Sequence, residues 1–576
     1  MTKIVLYVHF NPCGEVSAHV MYQIQSIRKS FDRFIFISNS RLLEYDKRVI
    51  SSLCDQVIER ENIGFDFGAW KDAIRIIGLD AVSSFDQLVL MNDTCFGPVS
   101  DFENFISSSR MIEFDFWGIS EHRAVDHLFR KSDGGAPAHL QSYFLLFNKI
   151  VVKSDSFIGF WQSVEYCDNV NDVIWKYETR LTQKLLIAGF RYGSYVNTTD
   201  PINFYLDYAT RYPVYMLRNG SPFIKVKGFL YGEYTQYLKK MLTEDTDYNV
   251  DLIEKHFDNY YSPNDTIKVS NKNIIVNAQH CRIESNIRIA IHLHVHYIDV
   301  YRKYIKIMSS YTFPFRLFIT TSVESYREDI KQIADEQHIN ISDDDIIVCK
   351  NKGRDVLPWL KLYHKISEYE IVGHFHTKKT AWSEEWIGES WQNEIFDSLV
   401  SPAEEIINYL AQNPQIGIVL ADIPFCYMNK IESDNWGSNR LSCDQLWSRM
   451  NLRKKIDFNK LKTPIMPYGN MFWYRTTSLK PLFELGLNDS DFPEEPIPVD
   501  GTTAHAIERL PVYIAWAENY DFRIAINLKT IESKLSLKES LFSIKQTNQD
   551  DLIIRLYLKM KKRIIIYLRR LIKMIR

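Results

Sequence analysis

The sequence predicts an α/β protein with two tandem domains, each built on a mostly parallel sheet, followed by a basic amphipathic helix. Its 576 residues are too many for one hydrophobic core, so two or three domains are expected. Apolar strand-like runs alternate with helical patterns, which is the order of βαβ units. The motif Asn-x-Gly-x-Asp-x-x-x-Trp also occurs twice, as ENIGFDFGAW at 61–70 and NKGRDVLPWL at 351–360. The repeated motif indicates that a whole domain is duplicated.

The elements around the two motifs follow the same order. KIVLYVHF is a continuous apolar run, typical of a strand buried on both faces. It is followed by the helical SAHVMYQIQSIRKS, the strand RFIFIS, the motif, the helical AWKDAIRIIG and the strand DQLVLMN. The second half repeats this order with RIAIHLHV, YRKYIKIMSSY, RLFITT, the motif, a helix and EIVGHFH. His9 and His294 are predicted to hold equivalent places near the ends of the two opening strands.

Each half closes on a further strand and a helix. QSYFLLFNKIVV corresponds to GNMFWYRTTSL, and each is followed by an acidic residue predicted to open a helix, Glu178 and Asp500. The segment between the halves is polar and charged, and it is expected to be a connector of helix and loop. The predicted boundaries are a first domain at 1–234, a connector at 235–286, a second domain at 287–535 and a tail at 536–576.

The composition is that of an ordinary soluble protein, with 45% hydrophobic and 24% charged residues. Eight scattered cysteines without a Cys-x-x-Cys pair fit neither a zinc site nor a disulfide framework. The sequence predicts a chain without a secretory leader, and no apolar run approaches the roughly 18 residues of a spanning helix. A cytoplasmic protein is therefore expected.

The repeated loop is predicted to lie at the carboxyl end of a strand, where parallel sheets bind ligands. Its glycine permits close backbone approach or a positive φ, and its Asn and Asp can cap the helix or bind a ligand hydroxyl. A simple turn with a helix cap is the alternative for one copy, but two matching copies favour a ligand-binding loop. The predicted ligand-binding residues are Asn62, Gly64 and Asp66 in the first loop, and Asn351, Gly353, Arg354 and Asp355 in the second.

The strand that follows each motif ends in polar residues, and their charge differs between the halves. In the first half these are Asn92 and Asp93, and a carboxylate there could hold a divalent ion that bridges a diphosphate. The second half has a basic cluster, which could neutralise a diphosphate leaving group without metal. Zinc ligation or surface charge is the alternative for its histidines, and zinc is disfavoured because the lysines would repel it. The cluster comprises His374, His376, Thr377, Lys378 and Lys379.

Glu178 and Asp500 are the candidate general bases. A hydroxyl that attacks an anomeric carbon must lose its proton, and a positioned carboxylate can accept it. Either residue could equally be a helix cap, because the helix dipole favours a carboxylate at the N-terminus.

Eight segments together resemble the rhamnan synthesis protein F family over nearly the whole chain: NIGFDFGAW, MNDTCFGP, DFWGIS, HLQSYF, NKGRDVLPWL, HFHTKK, YGNMFWYR and PVDGTTAHAIER. The resemblance implies a bacterial rhamnosyltransferase that builds rhamnose-containing cell-surface polysaccharide. Each half is also similar to an inverting nucleotide-sugar transferase with the GT-A fold, in which an Asn-x-Gly loop lies by the nucleotide. That group's Asp-x-Asp motif is only partly present, as Asn92-Asp93, and it is absent from the second half.

The resemblance implies roles for the matching positions. The donor, dTDP-β-L-rhamnose, is expected to contact both loops and both strand ends, including His9 and His294. Asp93 would hold Mg²⁺ or Mn²⁺ in the first domain, and no metal is expected in the second. The acceptor would be a lipid-linked, undecaprenyl-type glycan. Its predicted contacts are His139, Gln141 and Ser142 of HLQSYF, and Tyr468 and Asn470 of YGNMFWYR.

The preferred interpretation is a bifunctional enzyme in which each domain forms one linkage, with inversion at the β-configured donor carbon. One alternative keeps a single catalytic domain and uses the other to bind the acceptor. Another is a non-catalytic glycan-binding scaffold for assembly, in which Glu178 and Asp500 would be dispensable.

The last 25 residues, 552–576, carry nine Lys and Arg residues and no acidic residue. Apolar residues recur there at helical spacing beside a basic stripe, which indicates an amphipathic helix lying in an anionic membrane surface. Docking on an acidic partner domain is the alternative. Nucleic-acid binding is disfavoured, since the rest of the chain is acidic and carries no such module. The tail therefore predicts a peripheral protein on the inner face of the cell membrane.

Overall fold

The structure of the protein is a computed structural model, and it divides into two compact units, Met1–Asn271 and Lys272–Arg576. The predicted basic tail, 536–576, lies outside the described residues. Within the described ranges, no helix combines the length and the apolar character needed to cross a membrane. The described residues are 1–124, 135–198, 207–232, 235–281, 283, 286–377, 385–424, 436–498 and 500–528.

The first unit is built around a seven-stranded sheet in the order β10-β6-β9-β4-β1-β2-β3. The strands from β4 to β3 are parallel, β9 is antiparallel to both of its neighbours, and β10 is parallel to β6. β1 is apolar on both faces because one face packs against Trp70 and the other against Val20 and Ile24. Two-stranded pairs, β5 with β11 and β7 with β8, complete the unit. The strands are β1 Lys3–His9, β2 Arg33–Ser38, β3 Gln56–Glu59, β4 Gln87–Asn92, β5 Cys95–Phe96, β6 Phe116–Gly118, β7 Glu121–His122, β8 His139–Leu140, β9 Phe144–Asn148, β10 Tyr192–Ser194 and β11 Ile224–Lys225.

The helices of the first unit connect these strands and then extend beyond the sheet. A π turn lies at Ile174–Glu178, and 3-10 turns lie at Arg28–Ser30 and Ser109–Met111. The α-helices are Ala18–Ile27, Glu44–Leu53, Phe65–Ile77, Leu79–Val82, Phe102–Ile106, Lys149–Val152, Asp155–Ser163, Val170–Val173, Thr179–Ile187, Tyr208–Arg211, Pro213–Arg218, Val226–Tyr231, Thr235–Asp245, Asp251–Tyr260 and Pro263–Val269.

The second unit is built around an eight-stranded sheet in the order β12-β19-β17-β18-β16-β13-β14-β15. The strands from β16 to β15 are parallel, β18 is antiparallel to both of its neighbours, and β19 is parallel to β17 and β12. The strands are β12 Asn273–Val276, β13 Ile289–Val295, β14 Arg316–Thr321, β15 Ile346–Val348, β16 Ile371–His376, β17 Ile416–Ala421, β18 Phe472–Arg475 and β19 Asp521–Asn527.

Helices again cover both faces of this sheet, in two apolar clusters that contain Trp359 and Tyr304 respectively. A π turn lies at Phe396–Val400. The 3-10 turns are Asp343–Asp345, Phe458–Lys460, Thr476–Leu479 and Asp489–Asp491. The α-helices are Ile298–Met308, Tyr326–Glu336, Val356–Lys361, Tyr363–Ile366, Glu385–Ile395, Ala403–Gln412, Arg440–Met450, Lys480–Glu484, Thr503–Arg509 and Pro511–Ala517.

The two sheets have the same strand order and the same strand directions, except that the second has an additional edge strand, β12. In each sheet a single antiparallel strand, β9 or β18, occupies the same place. The motif tryptophans Trp70 and Trp359 are both fully buried beneath their sheets. The predicted α/β fold class is therefore confirmed, with two tandem domains built on the same sheet topology.

The strand ladders correct one predicted correspondence. β1 and β13 are both seven residues long, and they pair with β4 and β16 from their first residues onward. Their last residues therefore correspond, and these are His9 and Val295. His294 lies one residue earlier, at the position of Val8. Because neighbouring residues of a strand point to opposite faces, His9 and His294 lie on opposite faces of their sheets.

The boundary between the units lies inside 235–286, the segment predicted to be a connector. Its three helices belong to the first unit, where Leu238, Ile253 and Phe257 are buried in an apolar cluster. β12 belongs to the second unit and pairs with β19. The polar composition of the segment hides these contacts because each helix buries only one apolar stripe.

Candidate functional site

In the first domain, three polar side chains meet at the carboxyl ends of β1 and β4. Asn92 ends β4, and its Nδ2 donates to Asp66 Oδ2 across 2.8 Å. Asp93 Oδ2 accepts a hydrogen bond of 2.9 Å from the backbone N–H of Phe10, which directly follows β1. Asp66 lies in the first turn of the helix Phe65–Ile77. The repeated loop, β1 and β4 are thus joined at the carboxyl ends of the strands, where the loop was predicted to lie.

The two carboxyl groups at this place, Asp66 and Asp93, both have raised pKa values. Burial raises the pKa of Asp66 to about 6, and the Glu178 carboxylate adds to the rise while the Asn92 amide opposes it. Burial and the charge of Asp66 raise the pKa of Asp93 to about 7, against a backbone hydrogen bond that lowers it. A cation placed here would relieve this concentration of negative charge.

Asp66 and Asp93 provide carboxylate oxygens, which are the ligands that the predicted divalent metal prefers. Mg²⁺ is commonly held by one or two carboxylates together with substrate phosphates. Across the described part of the chain, no group of three or more His, Cys, Asp or Glu side chains could hold a metal ion. Phosphate oxygens of a bound substrate would therefore have to complete the coordination.

The first repeated loop is held in place by Arg60, a residue that the sequence analysis did not single out. Its guanidinium forms an ion pair of 2.9 Å with Asp72 and donates a hydrogen bond of 2.6 Å to the Ile63 carbonyl. Gly64 has φ +74°, in the left-handed region that favours glycine. Asn62 is half-buried beside it. The loop therefore presents its backbone in one fixed conformation.

Glu178, the predicted base, does not open a helix. It ends the π turn Ile174–Glu178, which lies between the helices Val170–Val173 and Thr179–Ile187. Single π turns inside helical stretches are frequent at functional sites. Glu178 Oε1 accepts hydrogen bonds from the N–H (2.9 Å) and the Oγ (3.0 Å) of Ser142, which lies two residues before the start of β9. The carboxylate thus reaches the sheet edge instead of capping its own helix.

The other residues predicted to bind the acceptor in this domain lie close to Glu178. His139 is buried, and its ring stacks on His122 with 5.0 Å between the centroids. Burial lowers the pKa of His139, although the Glu178 charge opposes this. Gln141 Nε2 donates to Asp207 Oδ1 across 3.1 Å. Carboxylate, imidazole and amide groups therefore surround the loop before β9.

In the second domain, Asp355 of the repeated loop is joined to Asn470 and His374. Asn470 Nδ2 donates to Asp355 Oδ2 across 2.8 Å and lies 3.0 Å from His374 Nε2, and all three side chains are buried. Although burial opposes ionisation, His376, His374 and Asn470 hold the pKa of Asp355 well below its usual range. The second domain thus has one buried anion among imidazoles where the first has two acids.

A chain of hydrogen bonds runs from His374 across the sheet. His374 Nδ1 lies 2.9 Å from His292 Nδ1, and His292 Nε2 lies 2.8 Å from Thr320 Oγ1. The same hydroxyl lies 2.9 Å from His294 Nδ1. Burial lowers the pKa of all three histidines, that of His294 to about 4. These imidazoles are therefore neutral near pH 7, and the positive charge predicted at this strand end is not carried by His374.

The first domain's His9 is also neutral. It is buried, its Nδ1 lies 3.3 Å from Ser38 Oγ, and burial lowers its pKa to about 4. His9 and His294 are thus each held by a hydroxyl of the next strand, although they lie on opposite faces. Neither supplies charge to a diphosphate.

The second repeated loop has the same backbone conformation as the first, in which Gly64 and Phe65 have φ +74° and +51°. Gly353 and Arg354 both have positive φ, at +67° and +54°. Arg354 Nη1 lies 3.3 Å from His505 Nε2, on the helix Thr503–Arg509. Asn351 is exposed, and Tyr468 is buried. The predicted Lys378 and Lys379 lie outside the described residues.

Asp500 precedes the helix Thr503–Arg509 and is held by three groups. Its carboxylate accepts from the Ser438 N–H (2.9 Å) and Asn439 Nδ2 (2.6 Å), and it pairs with Arg509 at 3.3 Å. Although burial opposes it, these donors lower the pKa of Asp500. The contacts tie the start of the helix to a neighbouring loop. The predicted catalytic role of Asp500 stays a prediction.

Glu508, on the same helix, is a carboxylate that the sequence analysis missed. Its Oε1 accepts a hydrogen bond of 2.9 Å from the backbone N–H of Gly469, whose carbonyl oxygen lies 2.5 Å from His376 Nε2. The sequence does contain a signal, since Glu-Arg-Leu at 508–510 is similar to Glu-Thr-Arg-Leu at 178–181. Asp500 lies closer in sequence to the preceding strand, so the spacing along the chain favours it over Glu508.

Comparison with known proteins identifies relatives of the chain. The family model described as rhamnan synthesis protein F matches residues 34–520. An uncharacterized protein y4gN of Sinorhizobium fredii (strain NBRC 101917 / NGR234) is 30% identical over 160 residues, which are 28% of this chain and 40% of that protein. An uncharacterized protein WxcX of Xanthomonas campestris pv. campestris (strain B100) is 29% identical over 221 residues, 38% of this chain and 30% of that protein. The matches thus span less than half the length of these two relatives.

Similar solved structures include the glycosyltransferase GlyE of Streptococcus pneumoniae TIGR4, with 13% identity and a TM-score of 0.22 over 63% of this chain and 83% of that one. The mannosyltransferase Ktr4p of S. cerevisiae has 10% identity and a TM-score of 0.21, over 34% of this chain and 67% of that one. Scores this low carry no weight for the fold, which rests on the strand order and directions of the chain's own two sheets.

Proposed function

The chain belongs to the rhamnan synthesis protein F family and is thus a glycosyltransferase, and on this premise we propose that it is an inverting rhamnosyltransferase. It moves L-rhamnose from dTDP-β-L-rhamnose onto a lipid-linked, growing polysaccharide. The observation that carries this proposal is the position of Glu178, a carboxylate bound at the loop before β9 and close enough to Asp66 of the repeated loop to raise its pKa. A base and a donor loop at one sheet edge are what the reaction needs.

In this reaction Glu178 takes the proton of the acceptor hydroxyl as its oxygen attacks the anomeric carbon of rhamnose. The new C–O bond forms on the face opposite the diphosphate. The bond from the anomeric carbon to the phosphate oxygen breaks, and dTDP leaves with the electron pair. Attack from the opposite face converts the β-configured donor into an α-linkage. Ser142 would orient the carboxylate, because both its N–H and its hydroxyl donate to one oxygen.

A divalent cation belongs to the first domain in this proposal. Asp93 and Asp66 would hold Mg²⁺ or Mn²⁺, which would supply positive charge to the diphosphate leaving group. The second domain has one buried carboxylate with neutral imidazoles around it, which favours donor binding without metal. Lys378 and Lys379 would neutralise the diphosphate there.

Each domain is proposed to form a different linkage, so that the two alternate along the polysaccharide. The basic tail is proposed to hold the enzyme at the inner face of the cell membrane, where a lipid-linked acceptor would be within reach. Each of the two duplicated sheets has a carboxylate at the same edge, which supports one reaction in each domain.

The test is to incubate the purified full-length chain with dTDP-β-L-rhamnose and a lipid-linked acceptor and to determine the linkages of the product. We expect two different α-rhamnosyl linkages and one dTDP released per sugar transferred. Transfer only from another nucleotide sugar would refute the donor, and a β-linked product would refute inversion. A single linkage would indicate one catalytic domain with an acceptor-binding partner domain. Donor binding without any transfer would indicate a non-catalytic scaffold.

A further inference from the structure

The position that corresponds to Ser142 in the second domain can be found from the strand ladders. β9 pairs with β4 so that Asn148 lies opposite the first residue of β4, and β18 pairs with β16 so that Arg475 lies opposite the first residue of β16. The residues six positions before these are Ser142 and Gly469. Because both ladders have the same order and direction, Ser142 and Gly469 occupy the same place in the two domains.

The same carboxylate contact is present at this place in both domains. Glu178 Oε1 accepts from the Ser142 N–H across 2.9 Å, and Glu508 Oε1 accepts from the Gly469 N–H across 2.9 Å. Both glutamates are half-buried. The contact is therefore a property of the shared architecture, and it identifies Glu508 as the counterpart of Glu178.

Buried helical residues follow both glutamates. Leu181, Thr182 and Leu185 of the helix Thr179–Ile187 are buried after Glu178, and every residue of the helix Pro511–Ala517 is buried after Glu508. Each glutamate is thus anchored by the packing of the helix that follows it.

Glu508 lies next to the groups of the second repeated loop. Gly469, which it contacts, is followed by Asn470, and the Asn470 amide donates to Asp355 across 2.8 Å. The Gly469 carbonyl oxygen lies 2.5 Å from His376 at the end of β16. Glu508 thus contacts the residue that directly precedes Asn470, and Asn470 in turn contacts the loop aspartate, Asp355.

Asp500 lies in a different environment. Its two oxygens accept from Ser438 and Asn439 and pair with Arg509. Donors that fill both oxygens of a carboxylate reduce its capacity to accept a further proton. These contacts instead join the start of the helix Thr503–Arg509 to the residues after Trp436, which is a structural task.

We infer that Glu508 is the catalytic base of the second domain and that Asp500 is a positioning residue for its helix. This inference rests on the proposed rhamnosyl transfer. Glu508 accepts the proton of the second acceptor hydroxyl as the C–O bond to rhamnose forms, and the bond to the diphosphate breaks with release of dTDP. The sugar moves, the proton goes to Glu508, and the electron pair leaves with the phosphate oxygen.

The test compares the full-length variants Glu508→Gln, Asp500→Asn and Glu178→Gln in the linkage assay. Glutamine keeps an oxygen that can accept the Gly469 N–H, so Glu508→Gln should fold, but an amide cannot take the proton. Glu508→Gln should slow one linkage by about 100-fold or more, and Glu178→Gln should slow the other. Asp500→Asn should change the rate of the Glu508-dependent linkage by less than about tenfold while lowering the melting temperature.

The linkage that each variant retains is the internal control for folding and donor quality. Normal formation of both linkages by Glu508→Gln would overturn the inference. Loss of the Glu508-dependent linkage in Asp500→Asn, with an unchanged melting temperature, would assign the base to Asp500 instead. A failure of the wild-type chain to transfer rhamnose would refute the proposed function itself. Equal activity of the wild type and the Glu508 variant would refute only the role of Glu508.

Discussion

The two domains of the chain share one sheet and differ in what stands at its edge. In the first, Asp66 and Asp93 form a pair of acids with raised pKa values. In the second, one ionised carboxylate, Asp355, is surrounded by histidines and an asparagine. The proposed bases lie at the same place in both, since Glu178 and Glu508 make the same contact.

The backbone contact at the glutamate is common to both domains, whereas the charge at the strand end is not. The backbone contact that holds the glutamate depends on strand register, which a shared sheet imposes. The charge at the strand end depends only on side chains, so it can differ without disturbing the sheet. Two domains with one fold can therefore carry different charges at the same place in the sheet.

The largest effect is expected from Glu178→Gln. The first-domain linkage should fall by about 100-fold or more, because the amide cannot accept the acceptor proton. The second linkage should be unchanged. Linkage analysis of the product of the full-length variant measures both rates in one sample. Equal loss of both linkages would show that the domains do not act separately.

The next largest effect is expected from removal of divalent metal, which should lower the rate of the first-domain linkage alone. Chelation with EDTA should stop the first linkage and leave the second within about twofold, and Mg²⁺ or Mn²⁺ should restore the first. Below about pH 7 Asp93 gains a proton, and a protonated carboxyl binds metal poorly. The metal concentration for half-maximal rate should therefore rise as pH falls from 8 to 6, by up to about tenfold per unit.

Asp93→Asn is the matched variant for the metal experiment, and it should remove this pH dependence together with the response to metal. If EDTA inhibits both linkages to the same degree, the assignment of metal to the first domain alone is wrong.

Alanine at the glycines of the two repeated loops should lower the free energy of unfolding by different amounts. A Cβ at Gly353 would lie 2.6 Å from Leu357 Cβ and 2.9 Å from the Phe492 ring, whereas a Cβ at Gly64 would lie no closer than 3.2 Å to the Tyr166 ring. Gly64→Ala should cost about 1–2 kcal/mol from its left-handed φ. Gly353→Ala adds overpacking and should cost about 2–4 kcal/mol. Chemical denaturation measures both.

Gly486→Ala is the control for the glycine pair, since Gly486 also has a positive φ but has no heavy atom within 4 Å of its would-be Cβ. It should cost as much as Gly64→Ala. A loss for Gly353→Ala no larger than that of the control would mean that the second loop tolerates a side chain by rearranging.

The smallest effect on the comparison is expected from deleting 552–576. With a short soluble acceptor both linkages should keep their rates within about twofold, since the tail belongs to neither predicted domain. Binding to anionic vesicles should be lost, because each Lys or Arg contributes about 1 kcal/mol near such a surface. Sedimentation with anionic and neutral vesicles, at low and high salt, measures this. Unchanged co-sedimentation of the truncated chain would show that other residues hold it there.

Much of the fold could be predicted from local pattern. Apolar runs such as that of β1 identified the buried strands, and the helical stripe before β2 identified the first helix. The antiparallel direction of β9 and β18 was not predicted, because an apolar run has the same composition in either direction. The placement of the first repeated loop at the carboxyl ends of the strands was predicted, because the loops of a parallel sheet converge there. The hydrogen bonds that join Asp66 to Asn92 and Asp93 to Phe10 were not predicted.

The sequence by itself determined the duplication, the α/β class and the family, because these depend on motifs and periodicities that are local in the chain. Only the tertiary structure decided which residues correspond. A shift of one residue places His294 on the opposite face from His9. The helix Thr503–Arg509 brings Glu508 to Gly469, while Asp500 is held by Arg509. Strand register and helix rotation are set by packing between distant segments, and spacing along the chain does not record them.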